Sequence, residues 1–377
     1  MNLKQTPESS GAFKTIIPEP SGSKTFPRRA TKKSSTTNIR PDFFIVGAPK
    51  CATSALTDYL ATHPQIFMAQ KEMHFFGHDL HFAANFYRRD EQEYLAAFKN
   101  WSGQQQIGES SVWYLFSKTA ATEIKAFNPD ARIIIMVRDP AEMLHSLYYT
   151  FRADRNEPLA TFREALAAEG ERRAGRRVSR NTYFRQGLIY HDVPRYTEQI
   201  QRYFEIFGRD QVHVVTYDDF AAKTDAVFAG VLDFLGVKLI QPEKKFPVIN
   251  GNHSLKIPLL QTIMGDPLIR GTAIAMRSWL PGPIFITLQK IENWVMKSNS
   301  RCHKRPQLDS DLWQRLKQEF TPEVRRLSKL LGRDLMHWNS IKPPTTAQSL
   351  KFEVVSCHQV NPEPAFETSG QAARSAS

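Results

Sequence analysis

The chain has 377 residues, of which 41% are hydrophobic, so it can form one large or two small domains around a sizeable core. Its formal charge of +12 favours an anionic partner: a nucleotide, a sulfated or phosphorylated ligand, a nucleic acid or a membrane surface. The three cysteines, Cys51, Cys302 and Cys357, lie far apart, which argues against a disulfide framework or a metal cluster and fits a reducing compartment.

The two ends of the chain are predicted to be tails. Residues 1–40 are rich in Ser, Thr, Pro and Lys and lack the apolar run of a signal peptide, which predicts a disordered basic tail. Such a tail can touch a membrane or a polyanion, although a solvated tail is the simpler interpretation. Residues 341–377 are predicted to form a second disordered tail. Because no run reaches the length of a transmembrane helix, we expect a soluble, cytoplasmic protein with one domain over residues 41–340.

The first structured unit begins with the apolar run of residues 43–46, which predicts a strand buried on both faces, as in a parallel sheet. A short loop containing Lys50 then leads into a helix, whose first N–H groups can hold a phosphate or sulfate. The hydroxyls of Thr53 and Ser54 add donors, and Cys51 is interpreted as a small loop-filling residue. The loop lacks the second glycine and the Lys-Ser/Thr pair of a P-loop, so an ordinary βα turn remains the alternative.

An acid and a histidine, Glu72 and His74, stand one residue apart beside two aromatic residues in the stretch KEMHFF. In an extended segment the two side chains would point the same way. A carboxylate in an aromatic-walled site has a raised proton affinity and can act as a general base. The alternative is a surface glutamate next to a core histidine.

A second strand–turn–helix unit covers residues 131–149. An apolar run predicts a buried strand, Arg138 follows it, and Pro140 is well placed in the first turn of a helix. Ser146 lies eight residues after Arg138, about two turns along that helix. An arginine at the carboxyl end of a parallel strand faces the crevice where ligands bind and can grip a phosphate. A structural Arg138–Asp139 pair is the alternative.

The rest of the chain predicts further helices and one more parallel strand, residues 211–216. Helical patterns cover residues 190–207 and 226–235, and five arginines between Arg172 and Arg180 are interpreted as a solvated face. Residues 255–300 are predicted to form helices of a lid or an acceptor surface. A closing amphipathic helix is predicted from Leu312, with a second helix starting at Thr321 and ending before Gly332.

Several of these stretches resemble one family when taken together. PDFFIVGAPKCATSAL, KEMHFF, GESSVWYL, IIIMVRDPAEMLHSLYY, VHVVTYDDF and the closing helical segment are similar to the sulfotransferases that use 3′-phosphoadenosine 5′-phosphosulfate (PAPS). The branch that holds the heparan sulfate N- and 3-O-sulfotransferases and their bacterial relatives is the most similar. The resemblance implies an α/β fold of three layers, α/β/α, with a central parallel sheet and a P-loop-like loop for the phosphosulfate.

The resemblance also implies a role for individual residues. The loop would hold the 5′-phosphosulfate, with Lys50 at the leaving phosphate oxygen, and Arg138 and Ser146 would grip the 3′-phosphate. Glu72 would deprotonate the acceptor, with His74 beside it, and a late basic loop would close over the cofactor. The loop residues are Lys50, Cys51, Ala52, Thr53 and Ser54, and the late basic loop is Lys304 and Arg305. No metal is expected, because a lysine can serve in place of magnesium.

The chain departs from the relatives that act on heparan sulfate. Those relatives often carry Lys where Ser111 stands, and usually Lys-Gly-Arg where this chain has Lys304 and Arg305. Heparan sulfate is therefore not implied as the acceptor. We expect a hydroxyl, or as a second choice an amine, on a carbohydrate, a lipid or a small metabolite, and no nucleic-acid partner.

Two other functions remain open on the sequence. One is a nucleotide kinase or NTPase with a P-loop-like fold, which the missing Lys-Ser/Thr pair disfavours. The other is a non-catalytic protein that binds polyanions or a membrane surface through the basic tail and the arginine run.

Overall fold

The computed structural model describes residues 39–83, 90–180, 182–240 and 308–340, together with the backbone of two short strands at 253–255 and 300–302. The predicted N-terminal tail, apart from residues 39 and 40, lies outside the described residues. So do the predicted C-terminal tail, most of the predicted lid at 255–300, and Lys304 and Arg305. Within the described part, no helix is long and apolar enough to cross a membrane.

A five-stranded parallel sheet forms the centre of the described chain, with the strand order β2-β3-β1-β4-β5. All residues of β1 and β3 are buried, as expected for parallel strands that are covered on both faces. The strands are β1 Phe43–Gly47, β2 Ile66–Met68, β3 Gln106–Ser110, β4 Arg132–Val137 and β5 Val212–Thr216. The predicted α/β class and its central parallel sheet are confirmed.

Helices connect and flank these strands. In chain order they are α1 Thr53–Ala61, α2 Glu91–Ala96, α3 Ala120–Phe127, α4 Pro140–Ala153, α5 Phe162–Ala167, α6 Glu169–Arg173, α7 Tyr196–Phe207, α8 Tyr217–Ala222, α9 Thr224–Leu235 and α10 Ser310–Leu331. A separate antiparallel pair joins β6 His253–Leu255 to β7 Ser300–Cys302. Pro140 opens α4 as predicted, and the Asp139 carboxylate caps it by accepting from the Ala141 N–H at 2.9 Å.

Two predicted helix boundaries are wrong, and a proline is involved in each. Residues 190–192 form a short 3₁₀ turn and α7 begins only at Tyr196, because Pro194 has no N–H to continue the helical bonds. By contrast, α10 runs through Pro322 without a restart. The Thr321 hydroxyl donates to the Lys317 carbonyl oxygen at 2.7 Å instead of capping a new helix, and Asp309 caps α10 instead.

The carboxyl ends of β1 and β4 form the crevice of this sheet. After β1 the chain moves to one side of it to form β2 and β3, and then returns to the other side to form β4 and β5. The Ala48 N–H donates to the Met136 carbonyl oxygen at 2.6 Å, so the loop after β1 lies directly beside β4. Ligands of open α/β sheets bind at such a reversal of strand order.

Four arginines of the run, Arg173, Arg176, Arg177 and Arg180, are exposed as predicted, but Arg172 is buried. Arg172 and Glu157 form a bidentate pair with N–O distances of 2.6 and 2.7 Å, and both side chains are 0% exposed. The Tyr190 hydroxyl also donates to Glu157, at 3.0 Å. A fully buried carboxylate needs such partners because it has lost its water. Among the more exposed members of the run, Arg177 pairs with Glu171 at 3.4 Å.

We expect Arg172→Met to lower the free energy of unfolding by about 3–5 kcal/mol, because Glu157 would keep its burial and lose its cation. The matched control is Arg177→Met, which removes an exposed pair and should cost about 0–1 kcal/mol. Urea unfolding followed by circular dichroism measures both. Equal losses in the two variants would contradict this account.

Candidate active site

The loop between β1 and α1 turns through two left-handed residues, Lys50 at φ 62° and Ala52 at φ 67°. Ala52 is the N-cap of α1 and offers no side-chain hydrogen bond, so the first N–H groups of the helix have no side-chain cap. Thr53 and Ser54 are the first two residues of α1. Gly47 is needed just before the loop, since a Cβ there would lie 2.6 Å from the Val112 carbonyl oxygen.

Cys51 fills the inside of this loop, as predicted. Its side chain is 0% exposed, and its Sγ donates to the Pro49 carbonyl oxygen at 3.4 Å and lies 4.0 Å from the Tyr196 hydroxyl. Burial raises the pKa of the thiol to about 12, although the charges of Arg138 and Lys50 act in the opposite direction. Cys51 is therefore a neutral thiol and not a nucleophile.

Glu72 and His74 come together at the carboxyl end of β3, but not in the extended segment that we predicted. The Glu72 N–H donates to the Ser110 carbonyl oxygen at 2.8 Å, which keeps the chain beside β3. Glu72 has φ 58° and His74 has φ 49°, both left-handed. This turn places His74 Nε2 3.5 Å from Glu72 Oε2. Two uncommon backbone conformations within three residues are typical of functional sites.

The Glu72 carboxyl has the properties of a general base. Burial raises its pKa, while the Lys71 ammonium and the Val112 N–H, which donates to Oε2 at 3.2 Å, act in the opposite direction. The Glu72 side chain is nevertheless 37% exposed, so the carboxyl can be reached from solvent. A carboxylate with raised proton affinity accepts a proton more readily at neutral pH.

His74 forms part of the wall behind Glu72. Its ring stacks on Phe82 with centroids 4.5 Å apart and meets the edge of Tyr114 at 6.5 Å. Its backbone N–H donates to the Ser111 hydroxyl at 3.2 Å. Because the ring is held on its faces, its Nε2 can orient the Glu72 carboxylate.

Arg138 and Ser146 are placed at the β4–α4 turn and along α4. Arg138 donates from Nε and Nη2 to Glu142 Oε2, at 3.0 and 2.6 Å, and lies over the Tyr217 ring at 4.2 Å. The alternative pairing with Asp139 is wrong, because Asp139 caps α4 instead. The Ser146 hydroxyl is buried and has no hydrogen-bond partner among the described residues.

The strand β7 leads toward the predicted late basic loop. It ends at Cys302, two residues before Lys304, and its partner β6 lies against α4, the helix that carries Ser146. Lys304 and Arg305 themselves lie outside the described residues.

A family model described as the sulfotransferase family matches residues 41–241, just over half of the 377 residues. The chain belongs to the sulfotransferase family. The resemblance that the motifs indicated is thereby confirmed at the level of the family.

Individual relatives give the same result. This sulfotransferase is 23% identical over 332 residues to heparan sulfate glucosamine 3-O-sulfotransferase 3A1 of Homo sapiens, covering 88% of this chain and 70% of that protein. It is 25% identical over 248 residues to carbohydrate sulfotransferase 15 of Homo sapiens, covering 52% of this chain and 44% of that protein. The crystal structure of a sulfotransferase from Alicyclobacillus acidocaldarius is similar with a TM-score of 0.57 and 29% identity, covering 80% of this chain and 100% of that chain. The chain thus spans less than half of the second relative.

Sequence reasoning missed Glu109, a fully buried carboxyl of this sulfotransferase in β3. The Tyr94 hydroxyl donates to it at 3.0 Å and the Ser111 hydroxyl at 2.6 Å. Burial raises its pKa from the ordinary 4.5 to about 7, although these donors act in the opposite direction. The signal in the sequence was an acid inside a stretch that otherwise predicts a buried strand.

Lys317 of α10 was also missed. Its ammonium is buried, donates to the Asp139 carboxylate and to the Trp338 carbonyl oxygen, and lies 4.2 Å from the centre of the Trp313 ring. Since Asp139 caps α4, this contact fixes the turn that carries Arg138. The sequence separation of 178 between the two residues explains why no local pattern predicts this contact.

We expect Glu109→Gln to flatten the dependence of stability on pH. Because the folded state holds the Glu109 proton more tightly, the wild type loses stability as pH rises from 4.5 to about 7, by up to about 3 kcal/mol. The variant should be as stable as the wild type near pH 4.5 and more stable than the wild type above about pH 7. Thermal unfolding across the window measures this, with the exposed Glu91→Gln as control, and parallel curves for wild type and Glu109→Gln would contradict it.

Proposed function

We propose that this sulfotransferase moves a sulfuryl group from PAPS to a hydroxyl, or as a second choice an amine, with Glu72 as general base. The observation that carries the proposal is the Glu72 carboxyl, which combines raised proton affinity with a partly exposed position at the end of β3. β3 is the neighbour of β1, and Lys71 next to Glu72 contacts Ser54 at the start of α1. Base and donor loop therefore occupy the same edge of the sheet.

The residues of the crevice fit a doubly phosphorylated donor. The buried Ser146 hydroxyl has no partner among the described residues and can donate to a 3′-phosphate. Arg138 supplies a guanidinium that can also contact this group. At the other end, the uncapped N–H groups of α1 and the Thr53 and Ser54 hydroxyls can hold the 5′-phosphosulfate. When bound, PAPS supplies an activated sulfuryl group.

The remaining roles follow from charge and position. In an in-line displacement, negative charge lies on the peripheral, attacking and leaving oxygens, so positioning and electrostatics carry most of the catalysis. Lys50 is the cation of the donor loop, and we assign it to the leaving oxygen. Glu72 removes the acceptor proton, and His74 orients the carboxylate that does so. The roles of Lys304 and Arg305 and a cytoplasmic location stay predictions.

For the acceptor we propose a carbohydrate before a lipid or another small metabolite, because two of the relatives carry carbohydrate or heparan sulfate acceptors in their names. Ser111 does not replace a substrate-binding lysine here. It is 1% exposed and donates to Glu109, so it belongs to the packing behind the site. The contact that a lysine at this position would make with heparan sulfate is therefore not available from Ser111.

Three of the five arginines in the run give little support to the polyanion-binding alternative, because they are paired. Arg172 is buried against Glu157, Arg173 pairs with Asp192 at 2.7 Å, and Arg177 pairs with Glu171. These three paired guanidinium groups offer less positive potential to a polyanion than Arg176 and Arg180, which are exposed. The kinase alternative is disfavoured by the family to which the chain belongs.

Calorimetry with adenosine 3′,5′-bisphosphate, the product left by PAPS, tests the donor site. We expect binding without metal, much weaker binding of ADP or of ATP with magnesium, and a loss of about 10- to 100-fold in Ser146→Ala, because a hydrogen bond to a charged group is lost. The exposed Arg176→Met is the control and should bind as the wild type does. A preference for ATP with magnesium would reject the proposal in favour of a kinase.

Transfer of radiolabelled sulfate from PAPS to a panel of carbohydrate, lipid and phenolic acceptors tests the base. Glu72→Gln should lower turnover by about 10²- to 10⁴-fold while keeping the affinity for adenosine 3′,5′-bisphosphate. Lys50→Ala should abolish measurable turnover, because the leaving oxygen loses its cation. Glu91→Gln, on the exposed face of α2, is the control for the panel. Wild-type turnover in Glu72→Gln would move the base to another group.

A further inference from the structure

One charged group at the site has no role in the function proposed so far. Lys71 directly precedes Glu72 and reaches across to the start of α1, where its Nζ donates to the Ser54 hydroxyl at 2.6 Å. The same Nζ lies 3.8 Å from Glu72 Oε1. One ammonium therefore touches the donor loop and the base at the same time, and only 24% of its side chain is exposed.

This position is costly for an ammonium unless carboxylates surround it. Burial lowers the pKa of Lys71, while the carboxylates of Glu72 and of Asp58 on α1 act in the opposite direction. Of the ion pairs that Glu72 forms within the described residues, the pair with Lys71 involves a lysine ammonium, whereas the pair with His74 needs a protonated ring. Lys71 therefore supplies positive charge to the carboxylate.

We propose that Lys71 is a positioning residue that ties Glu72 to the Ser54 end of α1 and holds the carboxylate in its anionic form. The inference rests on the proposed function, in which Glu72 must be anionic to accept a proton. Burial favours the protonated form of the Glu72 carboxyl, and the neighbouring Lys71 ammonium acts in the opposite direction. Glu72 must be basic enough to take the acceptor proton, and it must also be unprotonated when the acceptor binds. Lys71 serves the second requirement.

Other charged or titratable groups act around Glu72 and must be separated from Lys71. His74 on the same segment, Glu109 on β3 and Tyr183 interact with Glu72 itself. Asp58 on α1 acts on Lys71, and Asp154 at the end of α4 acts on Tyr183 and is itself affected by Lys50. Glu109 is the carboxyl most easily mistaken for Glu72, because burial raises its pKa to about 7 and the charge of Glu72 also raises it. The experiment therefore assigns each carboxyl by its own substitution.

Carbon-13 NMR of labelled glutamate carboxyl groups, recorded against pH on the whole chain, measures the proposal. The Glu72 signal is the one lost in Glu72→Gln, and the Glu109 signal is the one lost in Glu109→Gln. We expect the Glu72 midpoint to rise by about 0.5 to 2 pH units in Lys71→Met, since an opposite charge at this distance lowers a carboxyl pKa. Lys71→Gln, which keeps a donor for Ser54 but no charge, should show the same rise.

Two controls make the result specific to the charge at position 71. Lys71→Arg should keep the wild-type midpoint within about 0.3 units, because the cation is retained. The exposed Lys99→Met should keep it as well. In the transfer assay, the acid limb of the pH profile should move upward in Lys71→Met and Lys71→Gln by the same amount as the NMR midpoint.

The outcomes separate this inference from the proposed function. An unchanged Glu72 midpoint in Lys71→Met or Lys71→Gln overturns the inference, even if the variant is less stable, because Lys71 would then be only a clamp between α1 and the chain after β2. A raised midpoint together with wild-type turnover in Glu72→Gln supports the electrostatic contact and rejects Glu72 as the base. A raised midpoint together with a shifted acid limb supports both.

Discussion

The parallel direction of the five strands is the constraint on which the site depends. Strands that run the same way must all end at one edge of the sheet, so the segments that follow β1, β2, β3 and β4 meet there although they are far apart in the chain. The donor loop follows β1, Glu72 follows β2, and Arg138 follows β4. The chemistry is therefore assembled from short segments whose positions are set by backbone hydrogen bonds and not by long side-chain contacts.

Buried charged side chains are stabilised in two different ways in this protein. In the core, Arg172 with Glu157 and Lys317 with Asp139 are closed pairs, in which each charge has a direct partner. At the site, Glu72 is left open to solvent on one side and is balanced by a neighbouring cation and an N–H group. The first arrangement is suited to structure and the second to a group that must exchange a proton.

The sequence was informative wherever the signal was local. The strand–loop–helix unit around Lys50, the strand before Arg138 and the proline that opens α4 all have short patterns with a direct physical meaning, and the structure contains each of them. What could not be predicted depends on distant contacts or on backbone angles. The left-handed turn at Glu72 contains no glycine that would have indicated it in the sequence. The partner of Asp139 is Lys317, which lies on α10 near the other end of the domain.

The packing of α10 has a consequence for where this protein can be divided. The family match ends at residue 241, but the folding unit continues beyond it, because α10 lies against α4 and α7 and inserts Leu316 and Lys317 into the interior. A recombinant fragment that ends at residue 241 would expose the apolar side of α7. It would also leave the buried Asp139 carboxylate without the Lys317 ammonium. The end of the family match at residue 241 is therefore not the end of the folding unit, which includes α10.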